Sequence, residues 1–413
     1  MENKLDKVKR ILAQYKQLHL LDFVGALTIE EIENLLNQFE SIDFEKMRSL
    51  YQGSVSNGKE KLSNHRDISP IHCDVLNNYN ELKQKKFLEI GESVLGMGKI
   101  AVVTMAGGQG TRLGHKGPKG TFNIGYPINK TLFQLQNERL KSLSEKYKRW
   151  IPWYIMTSGE AHEDTIKYFE CNNYFGYEKR EVFFFQQGAL PMLSFDGKIL
   201  LKEKNEIYFG PDGNGSVFHS LKRSGALEDM TNKGIEWVFF TGIDNALVKM
   251  ADPIFVGYAI NSDVNAASKS VPKKHPEERA GVFCLKESKP SIVEYSEIPE
   301  ELIRMSNANG QLLFGDVNIL VHLFRISELH KIAEEGLPYH TVVKNAACID
   351  RNGKKVEVSS YKYESFIFDA FKVLDRVAIL QVVREMEFAP IKNKVGEDSP
   401  ETAVRQLIQL ERI

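Results

Sequence analysis

Between residues 99 and about 270, continuous apolar runs alternate with stretches whose apolar residues recur at helical spacing. Ile100–Met105, Trp153–Thr157, Val182–Phe185 and Trp237–Thr241 are runs of the kind that fill strands buried on both faces of a sheet. Thr131–Lys148 has a helical pattern. Ser158-Gly-Glu-Ala-His-Glu opens a second helix that continues through Phe169. This alternation predicts an α/β fold, a parallel sheet with helices on both faces. In such sheets ligands bind beyond the carboxyl ends of the strands. The glycines after Met105, the pair Gln186-Gln187 and Asp244 all fall at such ends.

The flanking regions have other patterns. Leu5, Val8, Leu12 and Tyr15 are spaced for one helix face, and Thr28-Ile-Glu-Glu31 has the form of a capping box opening a helix with Ile32, Leu35, Leu36 and Phe39 on its apolar side. Gln52–His72 is polar and reads as a surface loop. Residues 1–98 are therefore expected to be a helical layer on the main domain. After 271, short strands are expected at Gly281–Leu285, Ile292–Tyr295 and Ile319–Phe324. A helix is expected from Phe366 to about Met386, and a helical tail from Glu401 to Arg412. The resulting division is 1–98, a catalytic domain at 99–392, and a tail at 393–413.

Composition narrows the class. The 413 residues are 42% hydrophobic and 26% charged, with a formal net charge of -1, so no bulk field recruits nucleic acid or an anionic membrane. Cys73, Cys171, Cys284 and Cys348 are widely spaced and read as thiols of a reducing compartment. The first residues lack the apolar segment of a secretory signal, and no apolar run is of membrane-spanning length. A cytoplasmic protein is the expectation; a monomer is favoured, although the sequence does not give the oligomeric state. The histidines form no H-E-x-x-H motif, and there is no G-x-S-x-G elbow.

The densest chemistry follows the first apolar run. Gly107, Gly108, Gly110 and Gly114 are interspersed with Arg112, Lys116 and Lys119. Glycines admit close backbone approach, successive N–H groups can form an anion nest, and the cations add charge-assisted bonds. The combination suits a polyphosphate, with a structural turn as the competing reading. Gly110 is followed by Thr111-Arg112, which is not a P-loop, and the glycine spacing is not that of the dinucleotide fingerprint.

Ala106-Gly-Gly-Gln-Gly-Thr-Arg-Leu-Gly114, Pro118-Lys119-Gly120 and Lys130-Thr-Leu-Phe-Gln-Leu-Gln-Asn-Glu-Arg139 together resemble the UDP-sugar pyrophosphorylases. The likeness is greatest to the eukaryotic-type UDP-N-acetylglucosamine branch and extends to about residue 405. The resemblance implies a Rossmann-like nucleotidyltransferase core with a mixed, mainly parallel sheet. It also implies the reaction of UTP with N-acetylglucosamine 1-phosphate to give UDP-N-acetylglucosamine and pyrophosphate. Met105, Ala106, Gly107, Gly108 and Lys119 would meet the nucleotide, with Arg112 and Lys119 on the β- and γ-phosphates. Gln187 would read the uracil edge. In Pro211-Asp-Gly-Asn-Gly215, Gly213 would lie against the base and Asn214 would bond the sugar. Asp244, whose default role is a helix cap, would hold Mg²⁺ or Mn²⁺ beside the α-phosphate. Gly281, Glu294, Tyr295, Asn318, Phe366 and Phe368 would line the sugar pocket. Lys362 and Lys392 would act at the reacting phosphate.

Two departures stand out. The family's Ala-Gly-Asn-Ile motif reads Asp316-Val-Asn-Ile319 here, and loss of the glycine before Asn318 is expected to narrow or tilt the sugar pocket. The family's chains continue beyond the segment that here reads Ser399-Pro-Glu-Thr-Ala-Val-Arg405, so the separate domain that follows it is not expected in this sequence. Another hexose 1-phosphate (glucose or N-acetylgalactosamine) stays open as substrate, as does a non-catalytic nucleotide-sugar-binding role. A glycosyltransferase is disfavoured because Gly242-Ile-Asp-Asn245 is not an Asp-x-Asp motif.

Overall fold

A computed structural model describes residues 2–60, 68–295, 297–374 and 376–411. The sheet is built from β1 (Ile100–Met105), β2 (Trp153–Thr157), β3 (Val182–Gln186), β4 (Trp237–Gly242), β5 (Ala266–Pro272), β6 (Asp316–Arg325) and β7 (Val377–Gln381). Every residue of β1, β2 and β4 is buried, as their unbroken apolar runs require. The order across the sheet is β7-β5-β6-β4-β1-β2-β3, with the short strand Asp74–Val75 outside β7. Along this order pairing is parallel except at β6, which runs antiparallel to both β4 and β5. The beginning of β6 therefore lies at the same edge as the carboxyl ends of β1 and β4, because Thr241 pairs with Val321.

The helix Leu132–Tyr147 begins with a complete capping box at Thr131 and Gln134 and ends on Lys148 in the left-handed region. Two of its side chains, the buried Gln136 and the half-buried Arg139, fix the exit of β4. Gln136 accepts from the Thr104 hydroxyl and donates to the Gly242 carbonyl. Arg139 donates to the carbonyls of Ala246 (2.6 Å) and Val248 (3.2 Å). Elsewhere the helices Glu81–Gly96 and Pro253–Asn261 touch backbone to backbone. A Cβ at Gly257 would lie 1.7 Å from the Phe87 carbonyl oxygen, so only glycine permits that approach.

The chain divides into two compact units that do not follow its order. One contains 1–64, 188–216 and 337–366; the other, which holds the sheet, contains 65–187, 217–336 and 367–413. In the first unit the capping box at Thr28 is complete, and Leu35, Leu36 and Phe39 are buried in a core with Leu193, Ile199, Leu201, Ile207 and Tyr363. The hairpin His340–Ile349/Lys355–Glu364 spans this unit and pairs with Leu193–Ser194.

Several expectations need correction. The helix Phe44–Glu60 covers the first part of the stretch read as a loop; residues 61–67 of that stretch lie outside the described residues. The strand expected at Ile292–Tyr295 is Lys289–Val293, leaving Glu294 and Tyr295 beyond it. Among the described residues no long helix runs from Phe366 to Met386. The chain makes a 3-10 turn at Ile367–Val373, then β7, then the short helix Arg384–Glu387. Its aromatic residues recur at spacings that serve either period, and tertiary packing decides: Phe371 stacks on Phe324 of β6. The tail helix is Pro400–Glu411, and the described residues stop short of Arg412. Among the described residues no helix is long and apolar enough to cross a membrane.

Candidate active site

The glycine loop leaves β1 at the carboxyl edge of the sheet. Met105 and Ala106 are buried, and the Ala106 N–H donates to Met156 at the end of β2. A Cβ at Gly107 would lie 2.7 Å from Gln187 Oε1, which holds that amide beside the loop. Around Gly108 there is open space, and its carbonyl accepts from the Lys119 N–H at 2.9 Å. The loop is closed by Gly110 N–H donating to the Gly117 carbonyl, and by the His115 ring bonded to the Thr121 hydroxyl at 2.7 Å. Arg112 is exposed on the single turn Thr111–Leu113. Gly114 is left-handed, with φ +73.

Lys119 returns from the loop to pair with Asp244, Nζ to Oδ2 at 3.3 Å. Asp244 follows β4 and is clamped from both sides. Its carbonyl accepts from the Ile391 N–H. The buried Asn245 side chain accepts from the N–H groups of Leu247 and Ala389 and donates to the Glu387 carbonyl at 2.7 Å. This clamp brings Lys392 to the site. Burial alone would raise the Asp244 carboxyl; Lys119 and then Lys392 outweigh it, and the carboxyl is held below its ordinary value. Lys392 is half-exposed, with Asp398 at 3.6 Å.

The same edge carries Asn318 and Gly281. The Asn318 N–H donates to the Gly281 carbonyl, and its side chain accepts from Leu320 N–H at 2.9 Å. Leu320 is left-handed (φ +55) at a bulge in β6, and its side chain faces Gly242. A Cβ at Gly281 would lie 3.0 Å from Glu294 Oε1. Gly281, Glu294 and Asn318 thus form one group, adjoining Asp244 through Leu320 and Gly242. Val317, where the resemblance would place glycine, is buried in the core beside Val282 and opposite Val271. Residues in a strand alternate faces, so its side chain goes to the core, away from the face of Asn318. Any influence on a sugar pocket therefore acts through the backbone. Tyr295 is exposed beneath the Arg279 guanidinium, and Phe368 is buried in the 3-10 turn.

The remaining candidates sit in the other unit. Gly213 is left-handed (φ +88), and a Cβ there would lie 2.2 Å from the Ser365 carbonyl oxygen. Ser365 N–H donates to the Asp212 carbonyl, and Gly215 N–H donates to the Ser365 carbonyl. These bonds stitch the Asp212–Gly215 turn, with Asn214, to the segment carrying Phe366. The Phe366 ring lies 5.1 Å from His340. Lys362 pairs with Glu364 at 2.5 Å and lies over Gly210.

Sequence reasoning missed Gln136, Arg139 and Asn245, the groups that position the Asp244 turn. Their signal was present: two long polar side chains on a helix face that otherwise faces the core, and an amide directly after the candidate carboxylate.

As a donor set for a divalent cation, Asp244 is one ionised, partly exposed carboxylate. Among the described residues no group of three or more His, Cys, Asp or Glu side chains is arranged for a metal. A single carboxylate completed by substrate phosphates suits Mg²⁺, which keeps few protein ligands. It does not suit a structural zinc.

The family model described as UTP--glucose-1-phosphate uridylyltransferase matches residues 44–396. The chain is 36% identical to an Arabidopsis thaliana UDP-N-acetylglucosamine diphosphorylase over 97% of its length and 82% of the relative's. It is 35% identical to the UDP-N-acetylglucosamine pyrophosphorylase of Saccharomyces cerevisiae, over 96% and 88% respectively. Its fold is similar to the crystal structure of the Trypanosoma brucei uridine diphosphate N-acetylglucosamine pyrophosphorylase in complex with an inhibitor. That match has a TM-score of 0.85 and 29% identity, and covers 98% of this chain and 84% of the other. The chain belongs to the UTP--glucose-1-phosphate uridylyltransferase family.

Proposed function

We propose that this protein is a uridylyltransferase that makes UDP-N-acetylglucosamine and pyrophosphate from UTP and N-acetylglucosamine 1-phosphate. The observation that carries the reaction class is the convergence of the glycine loop, Lys119, Asp244 and Lys392 at the carboxyl edge of a parallel sheet. The choice of sugar is supported by relatives at 35–36% identity that carry that name.

The attacking sugar phosphate is ionised at neutral pH, so no general base is required. The chain's work is positioning and charge neutralisation of an in-line displacement at the α-phosphorus. The open backbone at Gly108, with Arg112 and Lys119, holds the β- and γ-phosphates that leave as pyrophosphate. Gln187 presents a fixed amide to the uracil edge, and Gly213 and Asn214 meet the nucleoside. Glu294 and Asn318, with the Gly281 backbone, hold the sugar; Tyr295, Phe366 and Phe368 are assigned to the pocket by resemblance alone. Lys392 offsets charge at the reacting phosphate; Lys362 is assigned to that phosphate by resemblance alone. Asp244 would hold Mg²⁺ or Mn²⁺, which supplies charge neutralisation at the α-phosphate when bound. We assign the protein to the cytoplasm and to small-molecule substrates, acting as a monomer.

One observation favours a second sugar: the matching family model is described by glucose 1-phosphate. Turnover with UTP and a panel of sugar 1-phosphates tests the proposal. Pyrophosphate release fastest with N-acetylglucosamine 1-phosphate supports it, and a preference for glucose 1-phosphate overturns the choice of sugar.

A further inference from the structure

The turn after Lys392 delivers a second cation to the glycine loop. Lys394 lies across Gly114: its Nζ, Cε and Cδ atoms are 3.7, 3.8 and 3.9 Å from where a Cβ on Gly114 would stand. A side chain at 114 would take up the space this lysine uses, and the left-handed backbone there already favours glycine. The turn is held in place. Lys392 and Asn393 N–H both donate to the Asp398 carbonyl, and the Asn393 amide donates to the Glu397 carbonyl at 2.9 Å. Lys392 has Asp398 as a counter-charge. Lys394 has no ion-pair partner among the described residues, and neither does Arg112, two residues from Gly114. The loop that carries Lys119 thus also carries the exposed Arg112 and is overlain at Gly114 by the exposed Lys394, neither with a counter-ion among the described residues.

We infer that Lys394 is a phosphate-binding residue that engages the terminal phosphate of UTP and, in the reverse direction, inorganic pyrophosphate. The inference rests on the reading of the site as a pyrophosphorylase. Lys392 and Lys394, two residues apart on one turn, divide the work: Lys392 beside Asp244 serves the reacting phosphate, and Lys394 over Gly114 serves the leaving end.

The test is steady-state kinetics in the reverse direction, with pyrophosphate and UDP-N-acetylglucosamine each varied, for wild type, Lys394→Ala, Lys394→Glu and Lys394→Arg. Loss of one charge-assisted phosphate contact is expected to raise KM for pyrophosphate about tenfold in Lys394→Ala. A larger rise is expected in Lys394→Glu and near-recovery in Lys394→Arg, with KM for UDP-N-acetylglucosamine unchanged in all three. KM for pyrophosphate unchanged in an active Lys394→Glu overturns the inference, and so does an equal rise in both KM values. Absence of reverse turnover in wild type overturns the underlying reading and this inference with it.

Discussion

Lys119 Nζ and Asp244 Oδ2 stand 3.3 Å apart, joining the glycine loop after β1 to the turn after β4. The pair brings together the phosphate cradle and the carboxylate best suited to a cation. It also sets the ionisation of Asp244, whose carboxyl is drawn below its ordinary value by Lys119 and Lys392 against the opposing effect of burial. A carboxyl lowered in this way contributes stability above the ordinary carboxylate range and loses it as pH falls through its depressed value. Lys119→Met should therefore move the acid limb of the kcat/KM profile to higher pH, and Lys392→Met should move it less. A pH–rate series on the three proteins checks this.

Arg112 and Lys392 are assigned to charge that develops in the transition state. Arg112→Ala and Lys392→Ala should each lower kcat at least a hundredfold, roughly 2.7 kcal/mol of barrier. Stopped-time assays at saturating UTP and sugar phosphate measure it. Near-normal turnover in both would remove the phosphate roles given to them.

Two glycines of the site should respond differently to a methyl group. Gly213→Ala forces a Cβ into the Ser365 carbonyl at a left-handed position and should cost about 1–3 kcal/mol in urea unfolding. Gly108 faces open space, so Gly108→Ala should change stability by no more than about 0.5 kcal/mol. It should nonetheless raise KM for UTP, because the added methyl occupies the approach to the loop backbone.

Beneath the site, buried Lys269 bridges Asp252 (2.5 Å) and Glu387. Burial would lower the lysine, but the two carboxylates outweigh it and raise it; Asp252 is lowered in turn. The lysine's contribution is lost only as pH rises through its raised value, and that of Asp252 only as pH falls through its depressed one, so the cluster holds across neutrality. Lys269→Met removes the ion pair of buried Asp252 and leaves buried Glu387 with Lys249 alone, at 3.2 Å, and should cost roughly 3–5 kcal/mol. The Glu387 carbonyl anchors Asn245, so kcat should fall as well. Urea titrations and kinetics on the same preparation check both effects.

Much of this was legible in the sequence where one interaction dominates. Burial on both faces writes β1, β2 and β4 as unbroken apolar runs, and local capping writes the start of the helix at Leu132. The hairpin His340–Ile349/Lys355–Glu364 carried a signal that was not read: alternation in Lys355-Val-Glu-Val and the turn at Asp350-Arg-Asn-Gly353. The segment after Phe366 misled because its aromatic residues pack on β6, which no local pattern reports. In the site, motif residues marked Lys119 and Asp244, but their pairing depends on a contact across 125 positions. The alternating faces of β6 likewise decide that Val317 points into the core. Gln136, Arg139 and Asn245 act on backbone carbonyls and N–H groups far from them in sequence, so their positioning role becomes visible only in the fold.

The central claim is tested most directly by measuring pyrophosphate and UDP-sugar formation by the purified protein with UTP, Mg²⁺ and N-acetylglucosamine 1-phosphate. The expected result is equimolar pyrophosphate and UDP-N-acetylglucosamine, formed faster than with glucose 1-phosphate or N-acetylgalactosamine 1-phosphate. Binding of UDP-N-acetylglucosamine with no pyrophosphate released from UTP in the presence of any of the three sugar 1-phosphates would contradict it.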